Sequence, residues 1–233
     1  MFAYKEREMK EGPLLIHISS MPEHVTYTWV AMAILITGAV FARMGLKRNE
    51  PPGGLQNLFE SIITGLLNYM DEVMGPEGRR YFPLIGSLFL FILLSNLLGL
   101  IPGFDSPTAN INTTAALALV SFSATHVIGL GRHGFSYFKH FVGPMPLLAP
   151  IMIPIEVISH LARPLSLSFR LFGNMIAKHK LLLVLALLAP YLAPVPVLAL
   201  GVFVAFIQAG VFTLLTMLYL AGAIEEAHGS EHH

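Results

Sequence analysis

Polar and apolar positions along this chain are sorted into long blocks. No Asp, Glu, Lys or Arg lies between Glu23 and Arg43, from Tyr81 to Phe104, from Ser106 to Gly131, or from Leu181 to Ile224. The first three gaps each match the roughly 20 residues that a helix needs to cross a bilayer, and the fourth is about twice that length. Pro190, Pro194 and Pro196 interrupt the fourth gap, which predicts a turn between a helix ending near Ala189 and another starting near Val197. The blocks therefore predict spans over 25–42, 83–101 and 112–130, then a hairpin of two long helices over 146–189 and 197–223.

The first arm of that hairpin carries Glu156, Arg163, Arg170, Lys178 and Lys180. It is too long and too charged for an upright span, so it must lie steeply tilted or break at Pro164, and Pro154 offers a second breakpoint. Residues 58–74 have apolar side chains at helical spacing with acids on the other side, the pattern of an interfacial amphipathic helix. The expected fold is an all-α integral membrane protein with about five membrane helices and one interfacial helix.

Composition agrees. The 233 residues are 55% hydrophobic and 12% charged, against roughly 25% charged in ordinary globular chains, and mean hydropathy is +0.67. Fourteen bases balance fourteen acids, leaving no net charge to attract nucleic acid. The absence of cysteine excludes disulfides, thiolate metal sites and cysteine nucleophiles.

Orientation follows from bases in short loops. Arg43, Lys47 and Arg48 follow the first span, Arg79 and Arg80 precede the second, and Arg132 and Lys139 follow the third; all belong on the cytoplasmic side. The loop from Ile101 to Thr114 carries only Asp105, and the Pro190–Pro196 turn carries no charge, which places both outside. The N-terminal segment 1–24 is then external and Glu225–His233 cytoplasmic, although Lys5, Arg7 and Lys10 argue mildly the other way. The first 24 residues lack the apolar core of a cleavable signal.

Candidate chemistry lies on the tilted helix. Glu156, Ser159, Arg163, Ser166, Arg170 and Asn174 recur at steps of three and four, one line along a helix. A guanidinium in a bilayer costs about 2.5 to 3.5 kcal/mol on insertion scales and cannot escape by losing its proton, so Arg170 needs an anionic partner. Glu156 lies about four turns away, too far for a direct pair, which points to a carboxylate on another subunit. The last helix offers a second polar line in Gly201, Gln208, Thr216 and Tyr219, with Gln208 a neutral group able to steady Arg170.

The run from Ser159 through Arg170-Leu-Phe-Gly-Asn174-Met resembles the most characteristic segment of the a subunit of F-type ATP synthases. The resemblance extends to Glu156, to Asn96-Leu-Leu-Gly-Leu-Ile-Pro102 at the end of one span, to Asn110-Ile-Asn112-Thr-Thr at the start of the next, and to Gln208-Ala in the last helix. It implies that Arg170 faces the carboxylates of a rotating c-ring, releasing their protons and blocking direct leakage between two offset half-channels. It further implies that Asn174 and Gln208 lie beside that arginine, that Glu156, Ser159 and Ser166 line the proton route, and that the partners are the c-ring, the b-subunit peripheral stalk and lipid, with no cofactor and no metal. Many bacterial members carry Glu where this chain has His179 and His where it has Gly201; His179 remains able to relay protons, with a water completing the path beside Gly201. The coupling ion is expected to be H+, with Na+ the alternative. The expected location is the bacterial plasma membrane, with a plastid or thylakoid membrane as the alternative.

Blander readings stand beside these. Arg163 and Lys178 fit snorkelling or interfacial charges, His126 and His160 fit helix packing as well as a channel, and Ser159 and Ser166 could bond back to helix carbonyls. Asn96, Asn110 and Asn112 fit helix caps, and Asp105 a solvated loop acid. A secondary solute transporter is the competing function, but it would often show an internal repeat and none is visible. Neither H-E-x-x-H nor G-x-S-x-G, which an intramembrane enzyme would favour, occurs.

Overall fold

The computed structural model describes residues 22–44, 54–101, 104–134, 149–188 and 194–225. The external segment expected for 1–24 lies outside these up to residue 21, as do the Pro190 end of the hairpin turn, the basic residues Lys47, Arg48 and Lys139, and the chain beyond Glu225. Among the described residues the chain is all-helical: α1 (Glu23–Met44), α2 (Gly54–Met74), α3 (Phe82–Leu98), α4 (Ile111–His133), α5 (Ala149–Leu188) and α6 (Pro194–Glu225). Short 3₁₀ turns over Pro76–Tyr81 and Pro107–Ala109 lead into α3 and α4.

Among the described residues four stretches are long and apolar enough to cross a bilayer: His24–Phe41, Pro76–Leu98, Ile111–Arg132 and Val195–Ile224. Their outward faces carry large apolar side chains such as Trp29, Ile36, Phe41, Val127 and Phe203, as a lipid-facing surface requires. Two hydroxyls of α1 are satisfied within the helix. Thr28 and Thr37 of α1 donate to the carbonyls of His24 and Ala33 at 2.6 and 2.7 Å, so neither presents an unbonded polar group to hydrocarbon.

Helix α2 is amphipathic, burying Leu66 and Met70 and leaving Glu60 and Glu72 exposed. It ends at Gly75, whose φ of +69° favours glycine. The turn that follows is clamped by Arg79, whose Nε donates to Asp71 at 2.8 Å. A glycine is also required at Gly78, where a Cβ would lie 2.6 Å from that of Met74.

Helix α5 runs unbroken for 40 residues with Pro154 and Pro164 inside it. At 1.5 Å per residue it is about 60 Å long, twice the roughly 30 Å hydrocarbon thickness, and neither proline breaks the helix. Each proline deletes one amide donor from the helix; Pro164 is half-buried and Pro154 exposed. Helix α6, 32 residues long, is also too long to stand upright. Pro194 and Pro196 lie in its first turn, where amides have no intrahelical partner and proline costs little.

Lys178 approaches Gly201 while Arg163 lies over Tyr219, so α5 and α6 run antiparallel. Their contact with each other is nonetheless modest; α5 packs most extensively on α4, and α6 on α3. The principal core joins Leu88, Ile92 and Leu93 of α3, Ala118 of α4, Leu167 and Leu171 of α5, and Ala209 and Phe212 of α6. A second core sets Met70 of α2 and Ile85 of α3 against Met217 and Leu220 of α6. Small hydroxyls cross the helix interfaces: Ser121 donates to Thr216 at 2.9 Å, and Thr114 meets Ser168 at 3.1 Å, contacts that let membrane helices approach closely.

Candidate functional site

The polar line of α5 follows a seam. Ser159, Ser166 and Arg170 fall on its exposed face, while Glu156, Arg163 and Asn174 are half-buried. Around them the exposed face is apolar, with Ile155, Ile158, Leu165 and Phe169 on α5 and Phe203, Phe206 and Ile207 on α6. Arg170 is thus a permanent cation on an otherwise apolar outer surface. No ion pair among the described residues reaches it.

The antiparallel register puts Gln208 near the level of Arg170 and Asn174. It points elsewhere. Gln208 is 7% exposed and turned into the bundle, its Nε2 without a hydrogen-bond partner among the described residues. The sequence suggests that Gln208 steadies Arg170; no hydrogen bond joins the two, because adjacent positions on neighbouring helices can face opposite sides of a shared wall.

Two polar clusters flank this level along α5. Towards its N-terminal end, His160 Nδ1 lies 3.1 Å from the Glu156 carbonyl and 3.2 Å from Glu156 Oε1. Carbonyl oxygens only accept, so Nδ1 carries the proton. The His160 ring packs edge-on to that of His126 of α4, 5.5 Å between centroids, and Arg163 stands 5.0 Å over the Tyr219 ring, a cation–π contact. These side chains, with Ser121, Thr125 and Pro164, line a cavity of about 10 Å³, the scale of one water.

Towards the C-terminal end, His179 Nε2 lies 3.9 Å from Asp105 Oδ1. Lys178 is 8% exposed, with Nζ buried and without a hydrogen bond among the described residues. Its stem fills the space beside Gly201: a Cβ there would meet Lys178 Cδ at 3.2 Å and Leu100 Cδ2 at 2.6 Å. Asp105 is positioned by the connection between α3 and α4, where Ser106 donates to the Ser95 carbonyl and Thr108 to Asn96 Oδ1, both at 2.8 Å and both buried. Asn110 caps α4, accepting from the Asn112 amide at 2.9 Å. Asn96, a cap by its sequence position, instead anchors this connection.

Between the two clusters lies the apolar core of Leu167, Leu171, Ala209 and Phe212. Glu156 and His179 are 23 residues apart in α5, or about 35 Å along its axis. The interior therefore presents two separated polar regions, with Arg170 on the outer surface at an intermediate level. Among the described residues no group of three or more His, Cys, Asp or Glu is placed to hold a metal ion.

Sequence reasoning missed two partnerships. The Glu156–His160 pair was signalled by its i,i+4 spacing, which the line of larger charges obscured. The approach of Asp105 to His179 joins residues far apart in the chain and leaves no local signal.

A family profile described as ATP synthase A chain matches residues 25–221. Curated relatives include ATP synthase subunit a 1 of Syntrophotalea carbinolica, 58% identical over 88% of this chain and 87% of its own length. The ATP synthase subunit a of Syntrophobacter fumaroxidans is 56% identical over 88% and 85%, and that of Geobacter sulfurreducens 50% over 91% and 93%.

Proposed function

The chain belongs to the ATP synthase A chain family, multi-pass membrane subunits of rotary F-type ATP synthases, and from that membership we propose that it is the stator through which protons reach and leave a c-ring. The cluster around Glu156 and His160 is one half-channel, and the cluster around Asp105, Lys178 and His179 is the other. The apolar core between them keeps protons from crossing inside the subunit, since charge in such a medium is strongly disfavoured. A proton entering by one cluster must therefore bind a ring carboxylate, travel with the ring, and leave by the other.

The observation that carries this reading is Arg170, an unneutralisable cation on the outward apolar face with no ion pair among the described residues. A ring carboxylate passing it is stabilised as the anion and gives up its proton. The fixed charge also repels a proton attempting the direct route. Ser159 and Ser166 share this exposed face and line the approach, with Asn174 at its edge; Gln208 shapes the wall from inside. The protein resides in a bacterial plasma membrane with its N-terminus outside and C-terminus cytoplasmic, held to the peripheral stalk by the b subunit. H+ is the coupling ion.

The chain has no cysteine, so an introduced one is unique. With a second cysteine on the ring helix beside its carboxylate, Ile207→Cys or Phe169→Cys should form a disulfide in the assembled complex, while Trp29→Cys should not. Cross-linking from Trp29 alone would assign the ring to another face and reject the reading. A solute transporter would bind or move solute without partners; this chain reconstituted alone should do neither.

A further inference from the structure

Beside Glu156 stands a neighbour that the polar line of α5 does not include. His160 sits one turn further along, buried, with Nδ1 donating to both the carbonyl and the carboxylate of Glu156. His126 is fixed in the same way, its Nδ1 2.9 Å from the Phe122 carbonyl. In both rings the tautomer is set by an acceptor-only oxygen, which makes Nε2 the basic nitrogen. The two rings meet edge to face on the wall of a cavity with room for about one water. That cavity borders Pro164, whose missing amide leaves the His160 carbonyl without its helical donor.

We propose that His160, exchanging protons with water in the cavity it shares with His126, is the relay that charges and discharges Glu156. A proton arriving on the cavity water as hydronium passes to His160 Nε2, leaving neutral water and forming the imidazolium; Nδ1 then passes its proton across 3.2 Å to Glu156 Oε1. One O–H bond breaks on the hydronium and one forms on Glu156, one N–H bond forms at Nε2 and one breaks at Nδ1, and a neutral water, a neutral imidazole and a neutral carboxyl remain. Glu156 hands its proton on, and the imidazole regains its first tautomer by exchange with water. The reverse sequence discharges the site. Arg163 and Tyr219 also border the cavity, so the charged and titratable groups facing the His160 ring are Glu156, Arg163, His126 and Tyr219. His160 is thus a further residue of the proton path, and this role rests on the half-channel reading above.

The decisive variant is His160→Asn in the whole complex. Its amide can still donate to Glu156, preserving the structural contact, but cannot take up and pass on a proton. Passive proton conduction under an imposed potential should fall on the order of tenfold or more near neutral pH. The native conduction profile should show an inflection between about pH 5 and 8 that His160→Asn lacks. Native-like conduction with an unchanged profile in His160→Asn would make the ring a hydrogen-bond donor only and overturn the relay. Should that variant not assemble, the native profile decides alone, and a flat one over this range rejects the proposal. Pumping that survives Arg170→Ala would instead reject the half-channel reading, whatever His160 does.

Discussion

Replacing Thr108 by Val removes the hydroxyl that donates to Asn96 Oδ1 in a buried site. An unsatisfied buried acceptor costs about 1 to 3 kcal/mol, and Asn96 Nδ2 already has no partner among the described residues. Thermal unfolding of purified Thr108→Val in detergent should show a lower midpoint, whereas Thr37→Val on exposed α1 should not. Gly201 tests close packing in the same way. An alanine there meets only the ends of the flexible Leu100 and Lys178 side chains, so Gly201→Ala should assemble normally, while Gly201→His must displace both and should lower proton conduction. At this scale the sequence was most informative about residue type. A lone guanidinium among apolar residues announced Arg170, but the direction of Gln208 depends on how α6 is rotated against α3 and α4, which no spacing within α6 reveals.

The elements themselves were legible because membrane helices write their limits in charge. Gaps without charge predicted the apolar helices, and the period of 58–74 predicted the amphipathic character of α2. What could not be read was the behaviour of Pro154 and Pro164, since whether a proline breaks a helix depends on the neighbours that support it. Equally, pairing α5 and α6 as a hairpin was visible from the turn residues, yet each rests more on another helix than on its partner, a fact of the third dimension. Local electrostatics make one element-scale prediction. The hydrogen bond from Arg79, with its charge, holds the Asp71 carboxyl below its ordinary pKa. A carboxyl whose pKa is depressed on folding stabilises the fold above its unfolded value, near 3.9, and that contribution disappears as pH falls through the lower, folded value. Protection of the Gly75 and Gly78 amides, relative to their intrinsic exchange rates, should therefore fall on acidification below about pH 4, and Asp71→Asn should remove that dependence. An unchanged acid dependence in Asp71→Asn would assign it elsewhere.

At the scale of the whole molecule, the arrangement is two polar regions, an apolar partition between them and Arg170 on the outer face at an intermediate level. The partition follows from ordinary core packing of Leu167, Leu171, Ala209 and Phe212, so the same contacts that hold α3 to α6 together also separate the two regions. Orientation is testable through the missing cysteines: a membrane-impermeant thiol reagent should label Ala3→Cys in right-side-out vesicles and Ser230→Cys only in inverted ones. The opposite pattern would reverse the proposed orientation. The central claim is that Arg170 couples ring rotation to proton flow, and inverted vesicles carrying the whole complex test it directly by comparing the native chain with Arg170→Ala. ATP-driven proton pumping should be lost in the variant while the soluble head still hydrolyses ATP; undiminished coupled pumping would contradict the account.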